Sequence, residues 1–217
     1  DYSGAFDFDF GPSTQPKIHS FAELFEAIDT AFAKPGAENL ISVEAEALTV
    51  SYSDARTGRM WEFGDGRIRL DNRETSVAAE IAASVISGSA PAQAVLTVVS
   101  EKSANLARVT AQIDNFAARD LAGEFNTFAW ASAVDAPLSG RIQTTLVRDG
   151  ISALEASLTF GKGALQPNPA VQPIPFDHVD FRMLYDEAAG RINISEVSVQ
   201  SPTLRLQAEG QTFLIDA

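Results

Sequence analysis

The chain contains no cysteine. Disulfides, thiolate catalysis and cysteine-ligated zinc are excluded together, and the absence fits a compartment in which thiols would be oxidised. Histidine is nearly absent as well. His19 and His178 stand far apart, and neither belongs to an HxxxH or HExxH pattern. No apolar run approaches the roughly 18 residues that a membrane-spanning helix needs. Basic residues are sparse: 16 Lys and Arg against 29 Asp and Glu leave a net charge of -13. A nucleic-acid backbone would be repelled, and an anionic lipid surface finds no cluster of basic residues. There is no G-x-S-x-G elbow, and Gly161-Lys162-Gly163 lacks the flanking residues of a phosphate-binding loop. "DFDFG" (Asp7 to Gly11) lacks the later Glu of a calcium loop. Nothing singles out one carboxylate pair for glycoside chemistry. These absences predict a non-enzymatic protein with no cofactor and no metal site. The chain opens on Asp1 with no leader, as expected of a processed product or an excised piece of a longer chain.

What is present is globular: 217 residues, 45% of them apolar, enough for a sizeable core. Residues 1–18 read as a loose lead-in. "SFAELFEAIDTAFAKPG" reads as a helix, with Ser20 and Glu23 forming a capping box. Phe21, Leu24, Phe25, Ile28 and Phe32 make its apolar stripe, and Pro35-Gly36 ends it.

Nearly everything afterwards alternates with period two. "ALTVSYSD" sets Leu48, Val50 and Tyr52 on one face. "MWEFGDGRIRLDN" alternates through Trp61 and Phe63, then through Ile68 and Leu70. "AVLTVVSEK", "ARVTAQIDNF" and "SALEASL" follow the same plan. The expectation is about ten to twelve strands joined by short turns, hence antiparallel meanders. Two echoing stretches, "YSDARTGRMW" and "LYDEAAGRINI", share one hairpin plan: Tyr, an acid, a polar turn and Gly-Arg. The acid can accept backbone N–H bonds, and the glycine can supply positive φ. "FAARDLAGEF" and "NTFAWASAVDAP" interrupt the alternation near residues 116–138 and read as a joint inside one β-rich module spanning 19–217.

A sheet with one apolar face must cover it. A 15-residue helix is about 22 Å long, whereas ten strands make a sheet about 50 Å wide. Such a helix covers only part of the face, so the sheet either folds on itself as a sandwich or leaves an apolar groove. The fold class is therefore mainly β: curved antiparallel sheet, groove or sandwich-like, with one N-terminal amphipathic helix and short helical interruptions. An outer-membrane barrel is disfavoured because its strands need about ten residues and the alternating runs read as mostly shorter.

Three stretches carry a family resemblance. "ENLISVEAEALTVSYSDARTGRMWEF" after the helix, "VDAPLSGRIQTTLVRDGISALEASLTFGKGAL", and the closing "IPFDHVDFRMLYDEAAGRINISEVSVQSPTLRLQAEG" occur in an order that resembles the AsmA-like and YhdP/TamB-like proteins of Gram-negative envelopes. The likeness spans about residues 19 to 217. It implies a periplasmic module of a parent chain anchored in the inner membrane. Antiparallel strands would line an apolar groove for phospholipid or another acyl-chain ligand, in the service of outer-membrane lipid homeostasis. The partners implied are that lipid and neighbouring modules of the same parent chain, without nucleic acid. The lining residues nominated are Leu48, Val50, Trp61, Phe63, Ile68 and Leu70. A second expectation is a structural or protein-binding β-module of an envelope assembly, and a third is a carbohydrate-binding or hydrolytic β-sandwich, for which Trp61 and Trp130 are the first residues to test. Unlike the family's long rods, the chain is short and shows no membrane anchor.

Overall fold

A computed structural model describes residues 41–213 except 55–58, 88–89, 103–105, 125, 148–149 and 169. The expected N-terminal helix and the lead-in lie outside the described residues. Among the described residues there are thirteen strands: β1 (Ser42–Asp54), β2 (Arg59–Asn72), β3 (Ser76–Ser87), β4 (Ala90–Glu101), β5 (Leu106–Ala117), β6 (Val134–Asp135), β7 (Pro137–Val147), β8 (Gly150–Phe160), β9 (Gly163–Leu165), β10 (Ile174–Phe176), β11 (His178–Asp186), β12 (Arg191–Gln200) and β13 (Arg205–Phe213). Ten of them form one sheet in the order β1-β2-β3-β4-β5-β7-β8-β11-β12-β13, and β6, β9 and β10 form a second, small one. Every pairing is antiparallel. The large sheet does not close, since its ends β1 and β13 pair only inward among the described residues.

Register shows why the sequence folds this way. One row of cross-strand partners runs Ala45, Ile68, Ile81, Leu96, Ala111, Ile142, Ala156, Met183, Ile194 and Gly210. The neighbouring row runs Glu44, Arg69, Glu80, Thr97, Thr110, Gln143, Glu155, Leu184, Asn193 and Gln211. Successive residues in a strand point to opposite faces. One face is therefore apolar across all ten strands and the other is polar, with Leu184 the exception in that polar row. A one-residue slip in any strand would carry its apolar set into water, so the period-two pattern pins the register.

The sheet is bent at bulges. Ala47, Asp65 and Asn115 adopt φ of 55°, 51° and 57°, each where the register shifts, between Ala45 and Leu48, Gly64 and Arg67, and Ile113 and Phe116. Bulges increase twist and bend a strand. The Asp65 bulge also explains the change of parity in β2, where apolar positions step from Trp61 and Phe63 to Ile68 and Leu70. The Asn115 bulge is tied down by its neighbours: Asn115 N–H donates to Ser139 Oγ at 3.0 Å, its Nδ2 donates to Pro91 O at 3.1 Å, and Ser139 Oγ donates to Asp114 Oδ1 at 2.7 Å.

The strands are longer than the sequence reading allowed: β1 to β5 hold 12 to 14 residues each. Ser, Thr, Asp and Gln broke the apparent runs, yet on the polar face they continue a strand at no cost. The two echoing stretches both join adjacent antiparallel strands, the first at the sheet edge and the second inside the sheet. β1–β2 closes on Asp54 opposite Arg59, and β11–β12 on Asp186 opposite Arg191. In the second, Gly190 holds φ at 55° and Asp186 Oδ1 accepts from Ala189 N–H at 3.2 Å, as expected. The first turn lies outside the described residues.

The interruption after β5 does not divide the large sheet, because β5 pairs directly with β7 (Phe116 opposite Leu138). Between them, helix α1 (Ala118–Glu124) and a 3-10 segment (Asn126–Ala133) lead into β6. Ala118 N–H donates to Ala136 O at 3.1 Å and Gln166 N–H to Ala133 O at 2.7 Å, tying this excursion to the small sheet. Gly163 must be glycine at that junction: a Cβ there would collide with Asp135 O and the Ala136 side chain. Ala118, Val134, Ala136, Leu138, Leu158, Phe160 and Phe176 form the largest buried cluster, joining the apolar face to the small sheet. A second cluster gathers Trp61, Val85, Ala92 and Phe116.

Candidate functional site

The small sheet turns the C-terminal half of the apolar face into a cavity. Alternation in β8 sends Leu154, Ala156, Leu158 and Phe160 to one side, and alternation in β11 sends Val179, Phe181 and Met183 to the same side. With Ile142 of β7 and Val197 and Val199 of β12 they make the floor. The roof comes from Trp130, Val134, Leu165, Ile174, Pro175 and Phe176, and the turn before β13 adds Ser201 and Leu204. Trp130 stands edge-on to Phe160, with ring centroids 6.1 Å apart.

The space between floor and roof is about 650 Å³ and partly open to solvent, within the usual range for small-molecule sites. Its chemistry is unlike most such sites. Among the described residues no charged side chain lines it, and the polar groups among the lining side chains are the Ser201 hydroxyl and the Trp130 indole N–H. The hydroxyl already serves the local turn, with Ser201 Oγ accepting from Leu204 N–H at 3.0 Å. A lining of this kind has little to orient a polar ligand and much to bury an apolar one. Each methylene moved from water onto it stabilises by about 0.8 kcal/mol.

The N-terminal half of the same face is more open. Ile81 is 45% exposed and Val50 53%, large values for side chains on a sheet's apolar side. The nominated residues all fall in this half. Val50, Trp61, Phe63, Ile68 and Leu70 share the apolar face by register. Trp61 is buried against Phe116, with centroids 5.9 Å apart, and Phe63 and Leu70 are half-buried. Leu48 sits opposite Gly66 at the bulge, half-buried where a Cβ on Gly66 would touch its own Cβ. None of the six lines the cavity. The residues that do were visible in sequence as alternating runs, but their enclosure depends on strands of two or three residues, too short for alternation to show.

Among the described residues no group of three metal-ligating side chains occurs, and no helix is long and apolar enough to cross a membrane, which says nothing of strands. His178 Nε2 lies 3.0 Å from Asp180 Oδ2 on the polar face, away from the cavity lining. The chain matches no protein-family model, no curated protein and no solved structure.

Proposed function

We propose that this chain is a non-enzymatic β-groove module that binds acyl chains of phospholipid or a related lipid and lets them move along its apolar face. The observation carrying the reading is the 650 Å³ cavity with no charged residue among its described lining, which shares Ile142, Ala156 and Met183 with the apolar cross-strand row that runs the width of the sheet. Binding by burial needs no catalytic group, and transfer is then partition between one apolar surface and the next. The resemblance to AsmA-like envelope proteins supports the same reading, under which the module would belong to an inner-membrane-anchored parent in the periplasm of a Gram-negative bacterium. A net charge of -13 and the absence of cysteine accord with that setting.

The test is mass spectrometry of an organic extract of the gently purified full chain, followed by titration of the stripped protein with a fluorescent fatty acid. The expected results are co-purified acyl lipid and saturable uptake. An empty protein that takes up nothing would refute lipid binding. A second reading, a β-module that captures a protein partner at a strand edge, draws on one observation. β13 is exposed along its whole length and pairs on one side only among the described residues, and an open edge of that kind can accept another strand.

A further inference from the structure

Four large apolar residues do two things at once. Trp130, Leu165, Ile174 and Leu204 line the cavity, yet each is between 38% and 55% exposed. Side chains that face both a cavity and solvent stand at its mouth. Leu165 and Ile174 are cross-strand partners at one end of the small sheet, and Val171, 42% exposed, lies in the connection between them. The mouth is thus rimmed by apolar groups where a soluble surface would ordinarily place polar ones.

The sequence around this rim is unusual in charge. Residues 125–134, 163–176 and 197–204 contain no Asp, Glu, Lys, Arg or His, in a chain that is 21% charged. Insertion of these segments into a lipid interface would strip water from no ion, and Trp130 brings the amphipathic ring favoured at that depth. With no basic residue inside those three segments and a net charge of -13, an anionic surface would repel the protein as a whole. We infer that the mouth of the cavity docks on a neutral, zwitterionic bilayer surface, with Trp130, Leu165, Ile174 and Leu204 as its contact. The inference rests on the acyl-binding reading, since a mouth seated in lipid lets a chain enter the cavity without crossing water.

The test uses the full chain and phosphatidylcholine vesicles. The protein is expected to float with them, to do so equally at high salt, and to lose affinity when phosphatidylglycerol is mixed in. Trp130 is the exposed member of the chain's two tryptophans, so its emission is expected to be quenched by brominated phosphatidylcholine and shielded from iodide. Ile174→Asp with Leu204→Asp is expected to weaken vesicle binding at least about tenfold. Leu184→Asp, on the polar face, should bind as the parent does. Uptake of a monomeric fluorescent fatty acid, measured beside flotation, separates the two claims. Uptake without flotation overturns the docking site and leaves the acyl-binding reading standing. No uptake in any form of the protein overturns that reading and the docking site with it. Flotation unchanged by the rim substitutions overturns the docking site, as does rim-dependent self-association without flotation. If the rim variants lose their circular-dichroism signal, the quenching of Trp130 in the unsubstituted protein decides.

Discussion

Replacing Phe160 by alanine is expected to lower the unfolding free energy by about 3–5 kcal/mol. Phe160 is buried at the end of β8, between Leu138 and Val179 in register. It belongs to the cluster that joins the large sheet to the small one, and it carries the edge-on contact with Trp130. Truncation removes its own burial and leaves a void that the adjoining cavity prevents from collapsing. Urea unfolding followed by circular dichroism measures the loss, read as a shift in midpoint at constant slope. A loss below about 1 kcal/mol would mean that the small sheet is not packed against the face.

The second large effect separates neighbours in sequence. Met183 and Leu184 are adjacent in β11, but Met183 lines the cavity and sits in the apolar row between Ala156 and Ile194. Leu184 sits in the polar row between Glu155 and Asn193, 47% exposed. Met183→Glu is expected to weaken acyl-chain uptake by about a hundredfold or more, because a carboxylate on the floor must either lose its water or keep it where the methylenes would lie. Leu184→Glu is expected to leave uptake unchanged and to cost less than about 0.5 kcal/mol of stability. Fluorescent fatty-acid titration of both variants checks this. Equal losses in the two would contradict the assignment of faces, since a change of one residue reverses side-chain direction.

Much of this architecture was legible before the structure. The alternation through Ile68 and Leu70, through Leu154, Ala156 and Leu158, and through Phe181 and Met183 encodes strands and also says which side is apolar. Glu44, Arg69, Glu80 and Glu155 encode the opposite side. The bulge at Ala47 was hidden because nothing in that run marks a left-handed position, whereas Asn115 and the Gly64-Asp65-Gly66 stretch hold residue types that tolerate one. The choice between sandwich and groove was hidden for a different reason. Sequence alternation shows that a face must be covered, not which segment covers it. The structure has neither limit in full: one unclosed sheet, roofed over β7 to β12 and more open over β1 to β4.

The site followed the same logic. The residues nominated under the resemblance, Leu48, Val50, Trp61, Phe63, Ile68 and Leu70, belong to β1 and β2, outside the cavity lining. The cavity lies instead where β6, β9 and β10 fold back, and their stretch, 163–176, is charge-free, carries four prolines and does not alternate. A proline-rich apolar segment that cannot extend the meander must lie against something. That was the available signal for a roof.

The most direct measurement is photolabelling of the full chain with a fatty acid bearing a diazirine on its tail, with the labelled peptides read by mass spectrometry. Labels are expected on Ile142, Leu158, Phe181, Met183 and Val197, at alternate positions within each strand and saturable by unlabelled fatty acid. Labels spread over the polar row, on Thr110, Gln143, Glu155 and Asn193, or insensitive to competitor, would contradict a sheet whose apolar face is built to hold acyl chains.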